Sequence, residues 1–207
     1  DNLPNYVPEG LSFIPMIDVS ASMEQVVAGG STTAMNVAVA IGMYLAERNT
    51  SAFKNIALTF HERPSLFTIP EGTLKSRVNY VESRSWGGST NVESALELIA
   101  EHGHRNNVPQ AEMPKMLIVI SDMEFNANRG GTTAFAGARQ LFESLGYEMP
   151  AIVWWNVVSR NGVVPVRANQ GNTALVSGMS PAVVKGLLGG EINPTAIMMK
   201  TIMDPQY

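Results

Sequence analysis

The 207-residue chain contains no cysteine. That excludes disulfides, thiolate metal sites and thiol nucleophiles, and it fits a reducing or an oxidising compartment equally well. Histidine is nearly as scarce: His61, His102 and His104 have no companion acid and nucleophile at a recognisable spacing, so the expectation is surface histidines. Charge is sparse as well. Only 15% of residues are charged and the net charge is -4, which gives no general attraction to phosphate backbones and argues against a non-specific nucleic-acid binder. Long hydrophobic runs are missing. The longest, Ala34 to Ala46, is interrupted by Asn36, Gly42 and Tyr44 and is too short to span a bilayer, so it reads as a buried helix and no membrane association is expected. Asp1 to Gly10 lacks the basic and apolar regions of a secretion signal, and a cytoplasmic location is the expectation.

What is present is a core. Hydrophobic residues make up 45% of the chain, enough for one sizeable domain over residues 1–207. The absence of an initiator Met suits the C-terminal part of a longer protein. Leu11 to Asp18 and Lys115 to Ser121 are apolar runs of the kind buried on both faces of a sheet, the first ending at Asp18 and the second directly before Asp122. Pro15 counts against the first. Ser31 is placed to cap a helix running to about Arg48, apolar all round and therefore buried. Asn55 to Phe60 and Ser65 to Ile69 flank a short connection with Pro64, which suits an antiparallel pair at a sheet edge.

Helices are expected at Leu74 to Glu82, Val92 to His102 and Thr133 to Leu145, the last ended by Gly146, before a strand at Ala151 to Asn156. Val163 to Arg167 and Thr173 to Ser177 offer a last strand. Pro181 to Leu188 and Pro194 to Met203 each open with a proline that a first helical turn tolerates. Strands alternating with helices predict an α/β fold: an open, doubly wound, mostly parallel sheet, Rossmann-like, with helices on both faces and one antiparallel edge strand.

The most specific segment is Asp18-Val19-Ser20-Ala21-Ser22-Met23. Alternating polar residues in a turn after a buried strand aim three oxygen-bearing side chains at one point. Hydroxyls and carboxylates are hard donors, so the ion implied is Mg²⁺, Mn²⁺ or Ca²⁺ rather than zinc or copper. The bland reading is a turn and helix-start segment, since Asp and Ser favour both.

The Asp-x-Ser-x-Ser pattern resembles the metal-ion-dependent adhesion site of von Willebrand factor A (vWA) domains. That family also uses a Thr and a second Asp, matched here by Thr90, in the loop Gly87-Gly88-Ser89-Thr90, and by Asp122, in Ile120-Ser121-Asp122. The tail LVSGMSPAVVKGLL, and SDMEF where Asp-Gly is more usual, are similar to the Ro ribonucleoprotein branch of the vWA family and its uncharacterised viral, bacterial and plant relatives. The resemblance implies that Ser20, Ser22 and, in one state, Thr90 coordinate directly, while Asp18 and Asp122 act through waters or hydrogen bonds. Such an ion keeps an open position for an acidic side chain of a protein partner. The resemblance also implies a helical module before the domain, to which RNA binding would mainly belong. Gly87 and Gly88 would let the backbone approach the ion. Met123 departs from the commoner Gly.

Three functions are weighed on these residues. A metal-dependent protein-binding module, not an enzyme, leads. A structural or scaffolding role in a ribonucleoprotein or viral assembly, with a non-functional metal site, is the alternative. A metal-dependent phosphoryl hydrolase ranks last, because only Arg84 is at hand to clamp a phosphate. Thr90 and Asn91 compete to cap the following helix. Glu124, Asn126 and Asn128 read as solvated loop residues, Trp154 and Trp155 as packing on opposite faces of a strand, and Met198, Met199 and Met203 as core or a docking face.

Overall fold

The computed structural model describes residues 5, 7, 10–27, 30–84, 90–123, 135–158 and 173–179. Strands β1 (Phe13–Ile17), β2 (Ile56–Thr59), β3 (Leu66–Thr68), β4 (Met116–Ser121), β5 (Ala151–Asn156) and β6 (Thr173–Ser177) alternate with helices α1 (Ala34–Arg48), α2 (Leu74–Glu82), α3 (Val92–Arg105) and α4 (Ala136–Ser144). The strands form one sheet in the order β3-β2-β1-β4-β5-β6. Every neighbouring pair is parallel except β2 with β3. This is the expected α/β architecture, with its antiparallel strand at the edge. The strand expected at Val163 to Arg167, the helices at Pro181 to Leu188 and Pro194 to Met203, and Glu124, Asn126 and Asn128 lie outside the described residues.

The period-2 alternation of the central strands sorts their side chains into two cores. Phe13, Ile17, Met116, Ile118, Ile120, Val153 and Trp155 pack with α1 on one face. Ile14, Met16, Leu117, Val119, Ile152 and Trp154 pack with α3 and α4 on the other. The adjacent tryptophans face opposite sides, as strand geometry requires. Each large apolar side chain buried this way contributes about 1.5–3 kcal/mol. The central strands accordingly stay apolar until their last residues, where polarity begins and the site is built.

Pro15 sits in β1, the strand between β2 and β4. Asp18 donates its backbone N–H to Ile120 O at 3.1 Å, so residues of even number point their amides toward β4 and Pro15 points toward β2. Pairing with β2 begins only at Met16, so the missing proline donor falls where the ladder has not started. The neighbouring carbonyl on that flank, Phe13 O, is satisfied by the buried side chain of Asn49 at 2.7 Å.

Helix α1 begins two residues later than a cap at Ser31 would start it. Its cap is Thr33, whose side chain accepts from Asn36 N while Asn36 returns the bond to the Thr33 amide, the reciprocal capping arrangement. The helix is not buried all round: Asn36 and Ala40 are exposed, while Ala38, Val39, Gly42 and Met43 are buried. Gly42 allows a close approach to β1, because a Cβ there would overlap the end of the Ile17 side chain and force it to shift. Gly146 ends α4 in the left-handed region, with φ 78°. No helix among the described residues is long and apolar enough to cross a membrane.

Candidate metal centre

The chain runs from β1 outward to β2 and β3, then returns to place β4 on the other side of β1. The C-terminal ends of β1 and β4 therefore diverge into loops on opposite sides, the crevice where open α/β sheets take ligands. Asp18 follows β1 and Asp122 follows β4, and they are 1% and 5% exposed respectively.

Beyond Asp18 the chain turns tightly. Ser20 donates its backbone N–H to Asp18 Oδ1 at 2.9 Å, an Asx turn. A single 3-10 turn, Ala21–Glu24, follows. Met23 is fully buried and anchors the turn, leaving Ser20 half-buried and Ser22 exposed, with their hydroxyl oxygens 3.1 Å apart.

Ser121 joins the two strand ends. Its hydroxyl lies 2.7 Å from Asp18 Oδ2 and 3.4 Å from Asp122 Oδ1, and it accepts from Met123 N at 3.1 Å. A hydroxyl has one proton to give, and the shorter contact takes it. Gln25, just past the 3-10 turn, donates from Nε2 to Asp122 Oδ2 at 3.3 Å. The structure thus brings Asp18, Ser20, Ser22 and Asp122 into one hydrogen-bonded cluster. Sequence reasoning missed both Ser121 and Gln25. Ser121 reads as the last residue of a strand, and only its polarity after five apolar residues marks it. Nothing local marks Gln25.

Thr90 stands at the same end of the sheet. The next residue, Asn91, donates its backbone N–H to the carbonyl of His61, just beyond β2, at 3.3 Å. Asn91 also caps α3, its Oδ1 accepting from Ser94 N at 3.0 Å, so the cap role considered for Thr90 belongs to its neighbour. Thr90 Oγ1 is buried with no hydrogen-bond partner among the described residues, and nothing of this kind links it to the other four. Leaving such a group unsatisfied costs about 1–3 kcal/mol. Gly87 and Gly88 lie outside the described residues.

Electrostatics favour a cation. Burial raises the Asp18 pKa above its ordinary value; hydrogen bonds from the Ser20 and Ser121 side chains and the Ser20 amide pull it down, and the Asp122 charge adds to the rise. A buried carboxylate repelled by a second one is relieved by a proton or a metal ion. The donors are all oxygen and suit a hard ion. Among the described residues no three His, Asp or Glu side chains cluster tightly enough to hold a metal by themselves, so the hydroxyls and water would have to complete any coordination sphere.

Two histidine side chains are engaged elsewhere. His102 is half-buried against the Phe53 ring, with centroids 5.3 Å apart, and His61 Nδ1 accepts from Arg63 N.

Comparison with known proteins bears on the fold. The Ro (RSR) protein of Deinococcus radiodurans superposes with a TM-score of 0.63 at 18% identity, over 92% of this chain and 36% of that one. Proximal thread matrix protein 1 from the mussel byssus, in a structure described as having a zinc-occupied MIDAS motif, superposes with a TM-score of 0.51 at 13% identity, over 90% of this chain and 48% of that one. The fold is vWA-like. Uncharacterized protein L728 of Acanthamoeba polyphaga mimivirus is 28% identical over 191 residues, covering 90% of this chain and 32% of that protein. The chain thus spans about a third of the length of that curated relative. A family model described as "Domain of unknown function (DUF7788)" matches residues 12–203.

Proposed function

The chain belongs to the DUF7788 family, and from that premise and the geometry above we propose that it is a divalent-metal-dependent protein-binding module, engaging an acidic side chain of a partner. The observation that carries this reading is the pair of buried carboxylates, Asp18 and Asp122, brought to the same end of the sheet on either side of the Ser121 hydroxyl. Ser20, Ser22 and Thr90 would hold the ion with hydroxyl oxygens, and the buried Thr90 oxygen, without a partner among the described residues, supports its place in that set. Asp18 and Asp122 would supply charge, largely through water and the serines. With neutral direct ligands, the bound ion offers an electrophilic position that a partner carboxylate can fill.

Binding is favoured over turnover by what surrounds Arg84. Its guanidinium lies over the Tyr80 ring, 4.0 Å from the centroid, and its Nε donates to Tyr80 O at 3.2 Å. The side chain proposed as a phosphate clamp is thus engaged on α2. RNA contact, if the whole protein makes it, is assigned to a module outside this chain, and the setting is proposed to be intracellular.

Thermal melts with Mg²⁺, Mn²⁺, Ca²⁺ and chelator test the metal, with Zn²⁺ included because the mussel protein's motif holds zinc. A metal at a hundred times its Kd adds about 2.7 kcal/mol by mass action, an upward shift of several degrees. Identical melts in all conditions would falsify the reading. Pull-downs with and without chelator then test the partner. Capture that persists undiminished in chelator favours the scaffolding role with a non-functional metal site.

A further inference from the structure

We infer that Gln25 is a positioning residue of this centre, aiming the Asp122 carboxylate through its side-chain amide. The inference rests on the metal-binding reading above. Gln25 is tied at three points. Its backbone N–H donates to Ser22 O at 3.4 Å, its carbonyl accepts from Ala34 N at 3.0 Å in the first turn of α1, and its Nε2 donates to Asp122 Oδ2 at 3.3 Å. One half-buried residue thus connects the Ser20–Ser22 turn, the start of α1 and the loop after β4.

The chemistry suits a neutral donor. An ionised carboxylate only accepts hydrogen bonds, so the amide must present its NH₂ end. It holds one oxygen without adding charge, leaving the negative potential of the two aspartates for an ion. A lysine at this place would supply that positive charge permanently. The other oxygen of Asp122 lies 3.4 Å from the Ser121 hydroxyl, whose proton goes to Asp18, so the Gln25 amide supplies a donor that Ser121 does not. Groups that orient metal-site residues in this way typically change affinity 10- to 100-fold when removed.

The test is isothermal titration of Mn²⁺ into the 207-residue chain as wild type, Gln25→Met, Asp122→Ala and the double variant, with metal-free melts alongside. Gln25→Met is expected to weaken Mn²⁺ binding about tenfold, to leave the metal-free melting temperature nearly unchanged, and to have no further effect in the Asp122→Ala background. Wild-type affinity in Gln25→Met overturns the inference, as does an equal loss in both backgrounds. Should Asp122→Ala bind too weakly to titrate, Gln25→Lys decides: it is expected to lose Mn²⁺ binding while melting no lower than wild type, and retained affinity overturns the inference. A wild type that binds no Mn²⁺ overturns the metal reading itself and this inference with it. Wild-type binding with an unaffected Gln25→Met overturns the inference alone.

Discussion

The ends of β1 and β4 start alike and finish differently. Both are fully buried parallel strands, and each is followed directly by an aspartate. After Asp18 the chain turns toward solvent and presents Ser20 and Ser22. After Asp122 it turns inward: Met123 is 1% exposed, packs in the core shared by α3 and α4, and adopts φ 63°. A non-glycine residue in that region carries strain of about 1–3 kcal/mol, which the burial of the methionine side chain offsets. One loop offers oxygen atoms, while the other fixes a carboxylate in place. Met123 itself is fastened to the core directly after Asp122.

The largest effect expected from this contrast is at Met123. Met123→Ala should cost about 2–5 kcal/mol for the lost core side chain. Met123→Gly should cost about 0.5–1 kcal/mol less than Met123→Ala, reversing the usual order of the two, because only glycine adopts a positive φ freely. Denaturant unfolding of both variants measures this, and alanine more stable than glycine would remove the strain argument.

A smaller effect, of opposite sign, is expected at the β1 end. Because burial raises the Asp18 pKa, the folded state holds the proton more tightly than the unfolded chain. Metal-free stability should therefore fall as pH rises from the ordinary value of 3.8 through the raised one. Asp18→Asn should flatten that slope, melt higher than wild type without metal at neutral pH, and lose the metal response. A metal-free Asp18→Asn that melts lower at neutral pH would show the carboxylate to be structural.

The smallest effect belongs to Thr90. Thr90→Val keeps the shape and removes a buried hydroxyl without a partner among the described residues, so metal-free stability should stay level or rise by up to about 1 kcal/mol, while Mn²⁺ affinity falls. A clear metal-free loss would mean that the hydroxyl has a partner in the folded protein.

Much of this frame was legible in the sequence, because it rests on patterns that local physics produces. The apolar runs of β1, β4 and β5 and the caesura at Gly146 announce themselves, and so does the antiparallel pair around Pro64. The helix cap was less so: Ser31, Thr32 and Thr33 are all competent. The choice of Thr33 follows from its β-bridge to Val26 and from Asn36 three residues on, the first of which is a tertiary contact. The candidate site divides along the same line. Asp18, Ser20 and Ser22 are neighbours in the chain, so their pattern is visible. Ser121 and Gln25 lie 103 and 97 residues from the carboxylates they contact, Asp18 and Asp122, and only the pairing of β1 with β4 brings them there. The departure at Met123 was visible as an odd residue, but its inward turn required the backbone.

The most direct test of the account is a titration of Mn²⁺ into the wild type and into Asp18→Ala, read by calorimetry with a chelated control. The account predicts saturable binding near one ion per chain in the wild type and its loss in the variant. Equal affinity in the two proteins would contradict it.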